Sequence, residues 1–241
     1  YGQLGRYLER TLGQPVSLIS AVDYAALVRS ILAEDDDLDY DLAVLAPHLA
    51  LLAQRRAGWR ALAQSTPGIR PSVIVRRSGG LRSLDDLRGR SLALPDRAAL
   101  VTLEAELQLA RSGVDPRRDV AVRYVPNHAS VMALVERGLV DAGVVSSVLL
   151  EPLPAASRDR LAEVHRFPRT FGIVFMAAPR VAPGPFEPIR AALLQFANEP
   201  EGRAYFAQEP DARIVSLAGG ELEGYADLIE PLEAILWPER R

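Results

Sequence analysis

Residues 72–94 read SVIVRRSGGLRSLDDLRGRSLAL, and the order of residue types in them decides how the chain is built. Ser72 to Arg77 is rich in β-branched side chains, which suit a pleated, packed surface, so the stretch predicts a strand. Gly79 and Gly80 break it. Ser83 then stands where it can cap a short helix, and Ser91 to Leu94 is apolar again, predicting a second strand. A strand that stops at a glycine pair, followed by a fresh alternation of helix and strand, marks the start of a second α/β lobe.

Downstream the alternation continues with helix Leu100–Ser112, strand Val120–Val125, helix Ser130–Arg137 and strand Ala142–Val145. Upstream, Leu4, Tyr7, Leu8 and Leu12 share one face of a helix over Tyr1–Leu12. Pro15–Ile19 alternates and predicts a short strand. Asp23 caps a helix from Tyr24 to about Ala33, and Asp41–Leu45 returns as a buried strand, completing a βαβ unit. Pro47 opens a helix that runs to about Gly58. Past the second lobe, Gly172–Ala177 reads as a strand, and Pro188–Asn198, Glu201–Gln208 and Tyr225–Leu236 read as helices. The Pro-rich run Pro179–Pro188 reads as a surface connection.

The bulk composition narrows the function. The 241 residues are 49% hydrophobic and 24% charged, with a net charge of -3 from 28 basic and 31 acidic residues. Nothing resembles a basic stripe that would track a phosphate backbone, so nucleic acid is not expected as a partner. Cysteine is absent, which removes disulfides, thiolate metal sites and thiol nucleophiles. Every basic residue is Arg, which removes Schiff-base chemistry through Lys. His48, His128 and His165 lie in separate segments without metal-ligand spacing, so neither a metal site nor a cofactor is expected. His165 reads as a surface residue. Asp35, Asp37 and Asp39 alternate like a calcium loop, but Tyr40 and Ala46 occupy the turn-glycine and bidentate-glutamate positions, so the run reads as a solvated loop. No signal peptide is visible, and a domain that opens in mid-helix suggests a segment upstream.

In order and spacing, four stretches carry a resemblance across nearly the whole chain. They are YGQLGRYLERTLGQPVSLISAVDYAALV (1–28), YDLAVLAPHLALLA (40–53), the 72–94 stretch, and NHASVMALVERGLVDAG (127–143). Together they resemble the periplasmic solute-binding proteins of phosphate, phosphite and phosphonate ABC transporters. The resemblance implies an α/β, two-lobed type 2 periplasmic binding protein fold, each lobe a mixed sheet flanked by helices. Lobe one would be 1–78 plus 172–241, lobe two 79–171, with a small molecule in the cleft between them. It also implies a monomer in the periplasm, a membrane transporter as partner, and no catalytic residues.

Ligands of open α/β sheets sit beyond the strand C-termini, where loops and helix starts converge. On this sequence the implied contacts are Tyr24, Pro47, His48, Arg70, Ser72, Ala99, Leu100, Val101, Asn127, His128, Ser146 and Phe171. Several depart from the family's pattern. Ala99, Leu100 and Val101 stand where phosphonate binders carry a Ser-Thr-Ser run, Arg70 where a Tyr is usual, Ala129 where an Asp follows the His, and Ser146 where an acidic residue can hold an amine. A dianion without those hydroxyls would be left short of donors. The residues therefore point to an apolar or amphiphilic ligand and not to a phosphonate, and the resemblance, which extends to apolar-cleft relatives that handle bacterial lipids, implies a lipid such as a sterol. The alternatives are a phosphonate-like or other small-anion binder or sensor domain, and, in a different class, an enzyme on the same fold.

Overall fold

The computed structural model describes residues 1–32, 40–150, 153–207, 209 and 211–240. The acidic run at 35–39 and the expected helix end at Ala33 lie outside them. The chain divides into two compact units, Tyr1–Gly68 with Phe171–Glu230, and Ile69–Thr170 with Pro231–Arg241.

In the first unit, helix α1 (Gly2–Leu12) buries Leu4, Tyr7 and Leu8 and stops at Gly13, whose φ of 65° is the left-handed conformation that glycine adopts without strain. The Tyr7 hydroxyl donates to the Ala192 carbonyl at 3.0 Å. Helix α2 (Tyr24–Ile31) starts where Asp23 accepts the Ala26 N–H at 2.7 Å. Strand β1 (Leu42–Leu45) leads into helix α3 (Pro47–Ala57), opened by Pro47 and closed by Gly58 at φ 69°. Strand β2 (Arg60–Thr66) follows.

The second unit begins with β3 (Pro71–Arg76). A single 3-10 turn (Asp85–Leu87) precedes β4 (Arg90–Leu94), and then come α4 (Leu100–Arg111), β5 (Val120–Tyr124), α5 (His128–Glu136), β6 (Ala142–Ser146), α6 (Ala155–Arg160) and β7 (Leu161–Arg166). The first unit resumes with β8 (Val174–Ala177), α7 (Pro183–Gln195), α8 (Pro200–Tyr205), β9 (Arg213–Val215) and a 3-10 segment Glu221–Leu228; α9 (Ile229–Leu236) follows it and groups with the second unit from Pro231 on.

The first unit's sheet runs β1-β8-β2-β9, antiparallel throughout. The second runs β5-β4-β6-β3-β7, with β4 parallel to both β5 and β6, and β3 antiparallel to β6 and β7. Its core follows strand periodicity. Val73 and Val75, Leu92 and Leu94, and Ala142 and Val144 face α4 through Val101, Ala105 and Leu109. Ile74, Ala93 and Val145 face α5 through Val131 and Val135. Each such Val or Leu, taken fully out of water, stabilises the unit by roughly 1.5–3 kcal/mol.

Several expectations are corrected. Pro15–Ile19 forms no strand, and Leu18 and Ile19 are 58% and 61% exposed. Alternation favours a strand only where a neighbouring strand completes its hydrogen bonds, and β1 pairs among the described residues with β8 alone. The expected βαβ unit at 15–45 is therefore absent. Ser83 does not cap the turn at 85–87. Instead the Asp86 carboxylate accepts the Arg82 and Ser83 N–H groups at 2.8 and 2.9 Å. Pro183 opens a helix inside the run expected to be a surface connection. Residues 69–78, read with the first lobe, carry β3 in the second unit's sheet, and 231–241 cluster with that unit as well. Strands β2, β7 and β9 were not legible. The half-apolar RALAQST of β2 lacks the β-branched run that marked β3.

Candidate functional site

The second unit gathers one edge. Parallel β4, β5 and β6 finish at the same end of the sheet, with Leu94 beside Tyr124, and β3 begins there with Pro71 opposite Ser146. That end collects the loop from Pro95 into α4, the loop from Val125 into α5, Ser146, and the segment Arg70–Ser72. Eight of the expected contact residues belong to this unit: Arg70, Ser72, Ala99, Leu100, Val101, Asn127, His128 and Ser146.

At the start of α4, Asp96 organises the loop. Its carboxylate accepts the Ala98 N–H at 2.8 Å and its carbonyl the Ala99 N–H at 3.0 Å. The Ala99 carbonyl accepts from Thr102 and Leu103, and the Thr102 hydroxyl donates to the Pro95 carbonyl at 3.2 Å. Among the described residues, the Leu100 and Val101 N–H groups have no acceptor, as the first turn of a helix dictates. The side chains around them are covered, at 2% to 4% exposure for Ala98 through Val101. Val101 packs into the core beneath α4, whereas Ala99 and Leu100 are not part of that core.

Helix α5 begins where the Asn127 side chain accepts the Ser130 N–H at 2.9 Å, leaving the His128 and Ala129 amides at the helix mouth. His128 Nδ1 is enclosed without a hydrogen-bond partner, and burial holds the imidazole below its ordinary pKa. Ser146 is buried, and Ser147 N–H ties the end of β6 to the Arg70 carbonyl at 2.8 Å.

Next to Ser146, β3 and β7 bring a polar group together that sequence reasoning reached only in part. Ser72 is fully buried. Arg166 Nε and Nη2 donate to Glu163 Oε2 at 2.6 and 2.5 Å. Arg70 Nε, Ser72 Oγ and Glu163 Oε1 are enclosed without a hydrogen-bond partner. Burial raises the Glu163 carboxyl, but the Arg166 hydrogen bonds, the facing Ser72 hydroxyl and the Arg166 and Arg70 charges outweigh it and hold it below the usual carboxylate range. Glu163 and Arg166 were missed because β7 was missed. The signal for both was the alternation in LAEVHR, six residues long.

The other expected contacts belong to the first unit. Tyr24 is the half-buried first residue of α2. Pro47 and His48 form the first turn of α3, and His48 is fully buried. The Phe171 N–H donates to the Tyr225 hydroxyl at 2.6 Å, and the two rings meet edge-on at 5.6 Å. A cavity of about 570 Å³ in this unit, lined by Leu194, Phe206, Arg213 and Ile214 among others, touches none of these residues. His165, expected at the surface, is half-buried and packs edge-on against Phe167 at 4.7 Å. Among the described residues no group of His, Cys, Asp or Glu is arranged to hold a metal ion, and no helix is long and apolar enough to cross a membrane.

This arrangement has relatives. The chain resembles PhnD1 from Prochlorococcus marinus, solved in complex with methylphosphonate, at a TM-score of 0.82 and 15% identity over 96% of this chain and 91% of that one. It resembles XAC2383 from Xanthomonas citri, solved bound to ATP, at 0.75 and 23% over 97% and 92%. The periplasmic aliphatic sulphonate binding protein SsuA from Escherichia coli matches at 0.64 and 16% over 97% and 90%. These likenesses show the fold, that of type 2 periplasmic binding proteins. The sequence model of one family, described as ABC transporter, phosphonate, periplasmic substrate-binding protein, matches residues 1–217, and the chain belongs to that family.

Proposed function

We propose that this protein captures a small amphiphile with an apolar body and one polar end, a lipid in the widest sense, for delivery to a membrane transporter, and that it is not an enzyme. The observation that carries this reading is the start of α4. Ala98 to Val101 are four consecutive covered apolar residues, where a binder of doubly charged anions needs hydroxyl donors. The two bare amides and the positive end of the helix contribute about 0.3–1 kcal/mol toward a single negative or polar group. A desolvated dianion costs several kcal/mol more than that. An apolar body, by contrast, gains about 25 cal/mol per Å² buried.

The test is to pass the protein through a lipid extract, identify what it retains, and titrate that compound and methylphosphonate while following Trp59 and Trp237 fluorescence. The reading expects a retained amphiphile and weak methylphosphonate binding. Tight methylphosphonate binding with nothing retained from the extract would overturn it. A second reading, capture of a small phosphonate-like anion, is favoured by the open Leu100 and Val101 amides and by kinship with phosphonate binders. The same titration decides between them.

A further inference from the structure

We propose that the polar end of the ligand is a singly charged oxyanion, a carboxylate or sulfonate, bound by the Arg70 guanidinium, and that Glu163 is the positioning residue that limits the site to one negative charge. This assignment rests on the capture reading above and adds the charge class of what is captured.

Three polar atoms of β3, its approach and β7 are enclosed without a hydrogen-bond partner: Arg70 Nε, Ser72 Oγ and Glu163 Oε1. Enclosed polar atoms left unpaired are uncommon, and the two that can donate, Arg70 Nε and Ser72 Oγ, can share one acceptor, whereas the Glu163 carboxylate only accepts and repels further negative charge. The backbone holds the cluster firmly. Arg70 accepts from Ser147, Pro71 from Phe167, and Ile69 from Thr170, so the segment before β3 is fixed on both sides. Ser72 stands opposite Val145 and Arg166, and Ile74 opposite Glu163, which puts Ser72 and Glu163 on one face of the sheet.

A guanidinium offers a planar fork of donors that matches a carboxylate or sulfonate. Glu163 already neutralises one of the two guanidinium charges near it through Arg166. The remainder suits one negative charge, while a second would face the Glu163 carboxylate. At the opposite side of the same sheet end, the α4 start offers the aliphatic side chains of Ala98 to Val101, which suit the chain next to such a head group.

The experiment compares octanesulfonate, octylphosphonate at alkaline pH, and 1-octanol by calorimetry on the full chain. The wild type should prefer the sulfonate to the other two by about tenfold or more. Arg70→Gln should reduce sulfonate binding to the octanol level at unchanged melting temperature, Arg70→Lys should recover part of it, and Glu163→Gln should shift the preference toward the phosphonate. The Glu163→Gln shift in rank order is a readout that a merely structural role would not produce. If Arg70→Gln fails to fold, the wild-type rank order and the Glu163→Gln shift decide. Equal binding of sulfonate and octanol, a wild-type preference for phosphonate, sulfonate affinity untouched by Arg70→Gln, or no binding of any probe would each overturn the assignment. A ligand retained from the lipid extract alongside such a result leaves the capture reading standing; retention of nothing removes both.

Discussion

Ser91 and Asp141 hold each other at the point where β4 and β6 begin their parallel run. The Ser91 N–H and hydroxyl both donate to Asp141 Oδ2, at 2.9 and 2.7 Å, and the Asp141 N–H returns to Ser91 Oγ at 2.9 Å. The clasp fixes the relative stagger of the two strands whose far ends carry the Pro95 loop and Ser146, so the site's geometry is anchored at the opposite end of the sheet.

Asp141→Ala should therefore cost about 1–3 kcal/mol in urea unfolding, because it leaves the Ser91 donors unpaired. The Ser91 N–H and hydroxyl hold the Asp141 carboxyl below its ordinary value of 3.8. Its contribution is complete above that value and is lost as the pH falls through the lower folded value. Asp141→Asn should flatten this acid limb of the stability profile, and an unchanged limb would show that the clasp carries no charge dependence.

Gly143 lies under α5, and a Cβ there would come within 2.4 Å of Val131 Cγ1 and 3.0 Å of Val135 Cγ2. Gly143→Ala should push α5 off β6 and destabilise by roughly 1–3 kcal/mol. Gly143→Ala combined with Val131→Ala should recover part of the loss, as a double-mutant cycle would report.

His128 is half-buried with its Nδ1 enclosed, and its pKa lies below the usual 6.5 because partial burial disfavours the imidazolium. Its stabilising effect is present above 6.5 and declines as the pH falls toward the folded value, since the unfolded chain binds the proton first. Melting temperature should drop through that window in the wild type and drop less in His128→Gln. Titration of the imidazole by NMR locates the folded pKa directly, and a value at or above 6.5 would remove this account.

Restoring hydroxyls at the start of α4 should change the ligand. Ala99→Ser with Leu100→Thr supplies donors beside the open Leu100 and Val101 amides, while sparing Val101, which belongs to the core. The double variant should bind methylphosphonate at least about tenfold more tightly than the wild type. Unchanged affinity in a folded variant would mean that this helix start does not face the ligand.

Local chemistry made much of this legible. Asp23, Pro47 and Asn127 mark helix starts by satisfying or dispensing with the first N–H groups, and Gly13 and Gly58 mark ends through positive φ. The start of α5 at Asn127–His128 was legible through such a mark, whereas α4 opens at Ala99 without a side-chain cap. Strand β7, with Glu163 and Arg166, was not legible, because it is short and is completed by the strand beside it.

By itself the sequence determined two α/β units and a run of apolar residues, Ala98 to Val101, at the start of α4, because capping, turn and strand preferences act over a few residues. Only the tertiary structure decided that Pro15–Ile19 is not a strand, that β3 belongs to the second sheet, and that Val101 is core while Ser72 and Glu163 share a face. Those outcomes depend on which distant segment completes a strand's hydrogen bonds and which side chain fills the space across it, and neither is encoded in local residue order.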